Sequence, residues 1–82
     1  TADAQALIGE KVKRKKLNPG DLVFFATGDK KLEITNVGIV TEVKSREQVK
    51  FIHASTTLGV VETNLYSDYY NKRFRKARRI ID

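Results

Sequence analysis

The stretch that decides the fold is Asn36-Val37-Gly38-Ile39-Val40-Thr41-Glu42-Val43-Lys44-Ser45-Arg46-Glu47-Gln48-Val49-Lys50-Phe51-Ile52-His53-Ala54-Ser55. β-branched and aromatic residues dominate both arms, and Val37, Ile39, Thr41 and Val43 alternate onto one face with a period of two. Polar residues at 44–47 interrupt that alternation, so the arms form an antiparallel hairpin with its turn at Lys44-Ser45-Arg46-Glu47. Lys44 and Glu47 are placed to pair across the bend. A two-residue loop (Ser45-Arg46) and a four-residue loop (Lys44 to Glu47) give the same register, with Val43 facing Gln48. Gly38 then lies opposite His53, and Asn36 opposite Ser55. Asn36, Gly38, Val40, Phe51, His53 and Ser55 share one face, with Asn36 and His53 as diagonal neighbours about 5.5–8 Å apart. Gly38 has no side chain and leaves a notch over which the imidazole can lie. A loop one residue longer or shorter would reverse these relations.

Outward from the hairpin, most of the chain also reads as strand. Leu22-Val23-Phe24-Phe25-Ala26 is a continuous apolar run, the pattern of a strand covered on both faces. It follows Leu17-Asn18-Pro19-Gly20-Asp21, a turn with Pro19 and Gly20 as the central pair of a type II geometry. Val49–Ser55 leads through a Thr56-Thr57-Leu58-Gly59 turn into Val60–Leu65. Residues 66–74 are mixed and hold a short helical turn. Beyond them Phe74–Ile81 fits either a last strand or a short helix, since Phe74, Ala77 and Ile81 also fall on a helical face. Before the turn, Ala4–Ile8 reads as the tail of a helix capped by Asp3 and ended by Gly9, and Lys11–Lys16 as a polar, basic connector. Five residues of helix are marginal alone, and Thr1 is not Met, so a longer parent is expected. The fold class is α+β, mostly β: a five- to six-stranded antiparallel, barrel-like sheet, with residues 1–16 as helix tail and connector and 17–82 as sheet.

Composition narrows the chemistry. At 82 residues the chain is one domain or part of one, burying only about 60–65% of its unfolded surface. It has no Cys, which excludes thiol catalysis by this chain, disulfides, Cys-ligated zinc and iron–sulfur clusters. Its single His, His53, excludes a metal shared between two imidazoles, and no cofactor is expected. No apolar run approaches the roughly 20 residues of a membrane helix. Lys and Arg number 16 against 10 Asp and Glu, a net charge of +6. The excess is gathered in Lys11, Lys13, Arg14, Lys15 and Lys16 and in Lys72, Arg73, Arg75, Lys76, Arg78 and Arg79. Such runs fit solvated segments or attraction to an anionic surface such as a bacterial envelope. A small basic β-barrel binding nucleic acid is the competing class. Against it, Tyr66, Tyr69 and Tyr70 cluster outside the strands and give no stacking row.

Asn36 and His53 beside Gly38 supply two thirds of a papain-like site, a polar pair lacking a nucleophile. Ser55 is a poor substitute nucleophile. It lies two residues from His53 on one strand face, side by side with it, and no acid is placed to orient the ring.

Leu17-Asn18-Pro19-Gly20-Asp21-Leu22-Val23-Phe24-Phe25, then Asn36-Val37-Gly38-Ile39-Val40, then Phe51-Ile52-His53-Ala54-Ser55 with Gly59-Val60, and finally Tyr69-Tyr70-Asn71-Lys72-Arg73-Phe74 and Ala77-Arg78-Arg79-Ile80 occur in an informative order. In that order and approximate spacing the set resembles the NlpC-like cell-wall peptidases, over about residues 2–80. The resemblance implies a pared-down papain fold whose N-terminal helical part bears a nucleophilic Cys, followed by an antiparallel sheet. It implies hydrolysis of peptidoglycan stem peptides, commonly between D-glutamate and a diamino acid, by a protein of the bacterial envelope or its exterior. In the family pattern the residue before Val-Gly-Ile is the catalytic His, and the His of Phe-Ile-His-Ala-Ser orients it. By that carry-over Asn36 stands at the position of the base and His53 at the third position, with Gly38 and Ser55 as candidate substrate contacts. The Cys-bearing helix is expected N-terminal to Thr1. An amide has no proton-accepting nitrogen at neutral pH, so Asn36 cannot deprotonate a thiol. Loss of nucleophile or base costs about 10⁴–10⁶ in rate, and this chain alone is expected to be inert. A binding-only relative, and self-association through sheet surface that the absent helices would cover, are further expectations.

Overall fold

The computed structural model describes residues 8–80. Among these residues, six strands and one short helix follow in the order β1 (Glu10–Val12), a 3₁₀ turn (Arg14–Lys16), β2 (Leu22–Phe25), β3 (Asn36–Ser45), β4 (Gln48–Ser55), β5 (Gly59–Asn64), α1 (Asp68–Arg73) and β6 (Phe74–Arg79). They form one antiparallel sheet in the order β1-β6-β2-β3-β4-β5. The sheet is barrel-like without closing, and β1 and β5 are its edges. The helix tail expected at Ala4–Ile8 lies almost wholly outside the described residues.

One face of the sheet carries the main core: Val23 and Phe25 of β2, Val40 of β3, Val49 and Phe51 of β4 and Ala77 of β6, joined by Leu17 and Leu65. Tyr66, Tyr70 and Phe74 pack onto it from α1 and its flanks. Alternation puts Phe24 on the opposite face, where Ile34 of the loop between β2 and β3 covers it. Leu22–Ala26 therefore does have both faces covered, as its uninterrupted apolar run requires.

The Pro19-Gly20 turn forms as its residues dictate. Asp21 N–H donates to Asn18 O at 3.1 Å, and Gly20 takes φ +94°, the left-handed geometry of the third residue of a type II turn. The turn is then stitched to β3, with Gly20 N–H donating to Val40 O and Val40 N–H to Asp21 O. Asp68 favours the start of α1 through the helix dipole, but six residues cannot sustain a helix alone; Tyr70 and the following Phe74 anchor it to the core.

Two expectations are corrected and one open alternative is resolved. Lys11–Lys16 is not a plain connector: β1 pairs its backbone with β6, Val12 against Ala77, and the 3₁₀ turn follows. Only Val12 of this strand is apolar, so edge pairing rather than hydrophobic alternation forms it. Phe74–Ile81, open between helix and strand, is a strand over Phe74–Arg79. The hairpin turn is one residue later than expected, with Ser45 opposite Gln48 around Arg46-Glu47 and Val43 opposite Val49. Burial of Val49 at 2% exposure draws that residue to the core face. Two bulges in β3, at Thr41 and Lys44, then restore the expected alignment, Val40 opposite Phe51 and Ile39 opposite Ile52.

Candidate functional site

The site lies where β3 and β4 part. Their ladder ends at Ile39 opposite Ile52; beyond it Asn36–Gly38 pair with β2, while His53–Ser55 pair with β5. The gap opens into a cleft of about 540 Å³ lined by Thr27, Thr35, Asn36, His53, Ser55, Val61, Thr63 and Tyr70 among others. Asn36 and His53 thus border one cleft. Gly38 and Ser55 flank the same parting.

His53 is 7% exposed, and its ring stacks on Phe51 with centroids 4.9 Å apart. Phe51 stacks in turn on Phe25 at 4.9 Å. Tyr70 meets Phe25, Phe51 and His53 edge-on at 5.1–5.2 Å, so one aromatic wall clamps the imidazole plane. Nε2 of His53 lies 3.1 Å from Thr63 Oγ1 on β5, and Nδ1 is buried without a hydrogen-bond partner. Burial pushes the imidazole pKa below its ordinary value, the nearby Ala54 main chain opposing in part. The ring is therefore biased toward neutrality and carries one unused polar nitrogen. Burial also raises the Tyr70 phenol, with Tyr69 adding to the shift.

Gly38 does not receive the imidazole as expected. A Cβ there would stand 2.5 Å from Phe51 Cδ2 and 2.8 Å from Ile52 O, so the notch is filled by the phenylalanine ring on which His53 stacks. Ser55 is engaged in the β4–β5 turn, its Oγ accepting from Thr57 N–H at 3.3 Å and Leu58 N–H at 3.1 Å. Thr63 and Tyr70 escaped the sequence reading. Tyr70 stood in a quoted motif, yet nothing in local periodicity told that α1 would fold it against His53.

The opposite side of the same parting is mostly apolar, a groove of Leu22, Val37, Gly38, Ile39, Ile52, Ala54 and Val60 together with His53. Ile39 and Val60 are exposed there. Among the described residues no group of three or more His, Asp or Glu could hold a metal ion, and no helix is long and apolar enough to cross a membrane.

The NlpC/P60 family profile matches residues 1–79, and the chain belongs to that family. It is 43% identical over 76 residues to the probable endopeptidase NlpC of Escherichia coli K12, covering 93% of this chain and 46% of that protein. Identity to a probable endopeptidase of Haemophilus influenzae is 38% over 76 residues, covering 93% of this chain and 44% of that one. To the Escherichia coli murein DD-endopeptidase MepS/murein LD-carboxypeptidase it is 35% over 77 residues, covering 94% and 37%. The crystal structure of a lipoprotein-like NLP/P60 family member from Staphylococcus aureus superposes with a TM-score of 0.75 at 28% identity, over 99% of this chain and 25% of that one. The chain thus spans less than half the length of the curated relatives it matches.

Proposed function

We propose that this chain forms the sheet wall of a cleft for peptidoglycan stem peptides, and that it engages the peptide without cutting it. The bond class implied by the family resemblance, D-glutamyl to diamino acid, defines the ligand. The observation that carries the proposal is the buried, unpartnered Nδ1 of His53 in a cleft that Asn36 also lines; the family resemblance implies the base at position 36. An imidazole at 36 could exchange a proton with a thiol and share a hydrogen bond with His53; a carboxamide can only donate and accept hydrogen bonds. With the base gone, the paired chemistry of a nucleophile and its activator is lost, while a carboxamide and a neutral imidazole suit the amides of a peptide. An envelope or exported location follows from the substrate class.

The test is incubation of the chain with disaccharide–tetrapeptide muropeptides, followed by chromatography and by NMR of the His53 ring and the Asn36 side-chain amide. Shifts in both groups without new products are expected. Product release by this chain, or saturating ligand that leaves both groups unshifted, would overturn the proposal.

A further inference from the structure

The groups around His53 decide which of its nitrogens carries the proton. Burial biases the ring toward its neutral form, in which one nitrogen is protonated and the other is a bare acceptor. Nδ1 is buried with no hydrogen-bond partner, while Nε2 lies 3.1 Å from Thr63 Oγ1. Two arrangements satisfy Nε2. If the Thr63 hydroxyl donates to it, the proton sits on Nδ1 and a buried N–H is left without an acceptor. If Nε2–H donates to Thr63, the proton has its acceptor and only a lone pair is left unused. Stranding the donor is the costlier defect, since buried unpaired N–H groups are rarer than under-used acceptors. Protonation at Nε2 is also the preference of a free histidine in water. The proton therefore belongs on Nε2.

That placement constrains Thr63. Its oxygen accepts from His53, so its own hydroxyl proton must be spent elsewhere. Among the described residues Thr63 Oγ1 has no second hydrogen-bond partner. Other hydroxyls of the cleft are already engaged: Thr27 and Thr35 bond to each other at 2.8 Å, and Ser55 Oγ accepts from the Thr57 and Leu58 N–H groups. Thr63 is half-buried and lines the cleft, so a molecule in the cleft can reach it. A hydroxyl that accepts one hydrogen bond is polarised into a better donor for the next.

We infer that Thr63 is a ligand-binding residue of the cleft: its oxygen is held by Nε2–H of His53, and its hydroxyl donates to an acceptor oxygen of the bound stem peptide. His53 is then the positioning residue and Thr63 the contact. The contact rests on the reading that the cleft takes stem peptides; the place of the ring proton does not.

The test begins with the unsubstituted chain. Without ligand, at a pH above the imidazole titration, a long-range nitrogen–proton NMR correlation of the ring should show Nε2 protonated and Nδ1 bare. The reverse would overturn the inference. With disaccharide–tetrapeptide muropeptide added, nuclear Overhauser contacts between the Thr63 methyl group and the peptide are expected, and their absence at saturation would overturn it as well. Thr63→Val keeps the shape without the hydroxyl and should bind about fivefold more weakly, the loss of one neutral hydrogen bond, while Thr63→Ser should stay within about twofold of the unsubstituted chain. Equal binding by folded Thr63→Val counts against the contact. Should that variant fail to fold, the two measurements on the unsubstituted chain decide alone. An unsubstituted chain that binds no muropeptide overturns the cleft reading and the contact with it, whereas binding that Thr63→Val leaves intact overturns the contact only.

Discussion

Arg79 holds Asp21 with two nitrogens, Nε to Oδ1 at 2.8 Å and Nη2 to Oδ2 at 2.9 Å. The last strand is thereby bolted to the Pro19-Gly20 turn across 58 residues of sequence. Asp21 is 1% exposed, and its Oδ2 also accepts Asn18 N–H at 2.8 Å, so one carboxylate closes the turn and anchors β6. Asp21→Ala removes these bonds and should cost about 2 kcal/mol, as expected for hydrogen bonds to a buried charge. Chemical denaturation checks it, and Asp21→Asn, which keeps an acceptor for Asn18, should lose less.

Gly38 and Gly20 are glycines for different reasons. At Gly38 an added methyl meets the Phe51 ring and the Ile52 carbonyl, and the carbonyl cannot swing away without disturbing β4. Gly38→Ala should therefore cost about 2–3 kcal/mol and shift the His53 ring resonances through the Phe51 stack. At Gly20 nothing lies within 4 Å, and the cost of Gly20→Ala is backbone strain from the positive φ, about 1 kcal/mol, with His53 unmoved. Denaturation midpoints and one NMR spectrum separate the two.

His53 gives stability a pH dependence of known sign. Its folded pKa lies below the ordinary 6.5, so between those two values the unfolded chain binds the proton more readily. The imidazole's contribution is thus complete above about pH 6.5 and lost as pH falls through the folded pKa. As the chain's one His, it can be titrated by its ring protons without assignment. Thr63→Val should shift that titration, because it removes the hydroxyl 3.1 Å from Nε2.

The apolar groove of Leu22, Val37, Ile39, Ile52, Ala54 and Val60 predicts association of the 82-residue chain. Sedimentation should show mass rising with concentration, and Ile39→Lys or Val60→Lys should return the chain to monomer. A monomer at all concentrations in the unsubstituted chain would contradict this.

Much of this architecture was legible from residue types. The double-sided core of β2, the β3–β4 hairpin and the Pro19-Gly20 turn follow from an unbroken apolar run, an alternation and a Pro-Gly pair. The facing of Asn36 and His53 into one cleft was legible from the hairpin, although the expected turn was one residue off and the bulges at Thr41 and Lys44 compensated. What escaped depended on distant partners. β1 exists through its pairing with β6, and the register shift between Phe24 and Phe25 spoils the alternation that would mark β6 as a strand. Tyr70 and Thr63 reach His53 only through the folding of α1 and β5 around it.

The bulges have a further consequence. The β2–β3 and β4–β5 ladders run without irregularity up to the cleft, while both irregularities of the β3–β4 pair fall between the cleft and the hairpin tip. Asn36 and His53 are thus aligned by their outer neighbours rather than by the loop joining their own strands. Residues 44–48 form slack cord beyond a fixed knot, a segment where insertions could accumulate without moving the two residues that border the cleft.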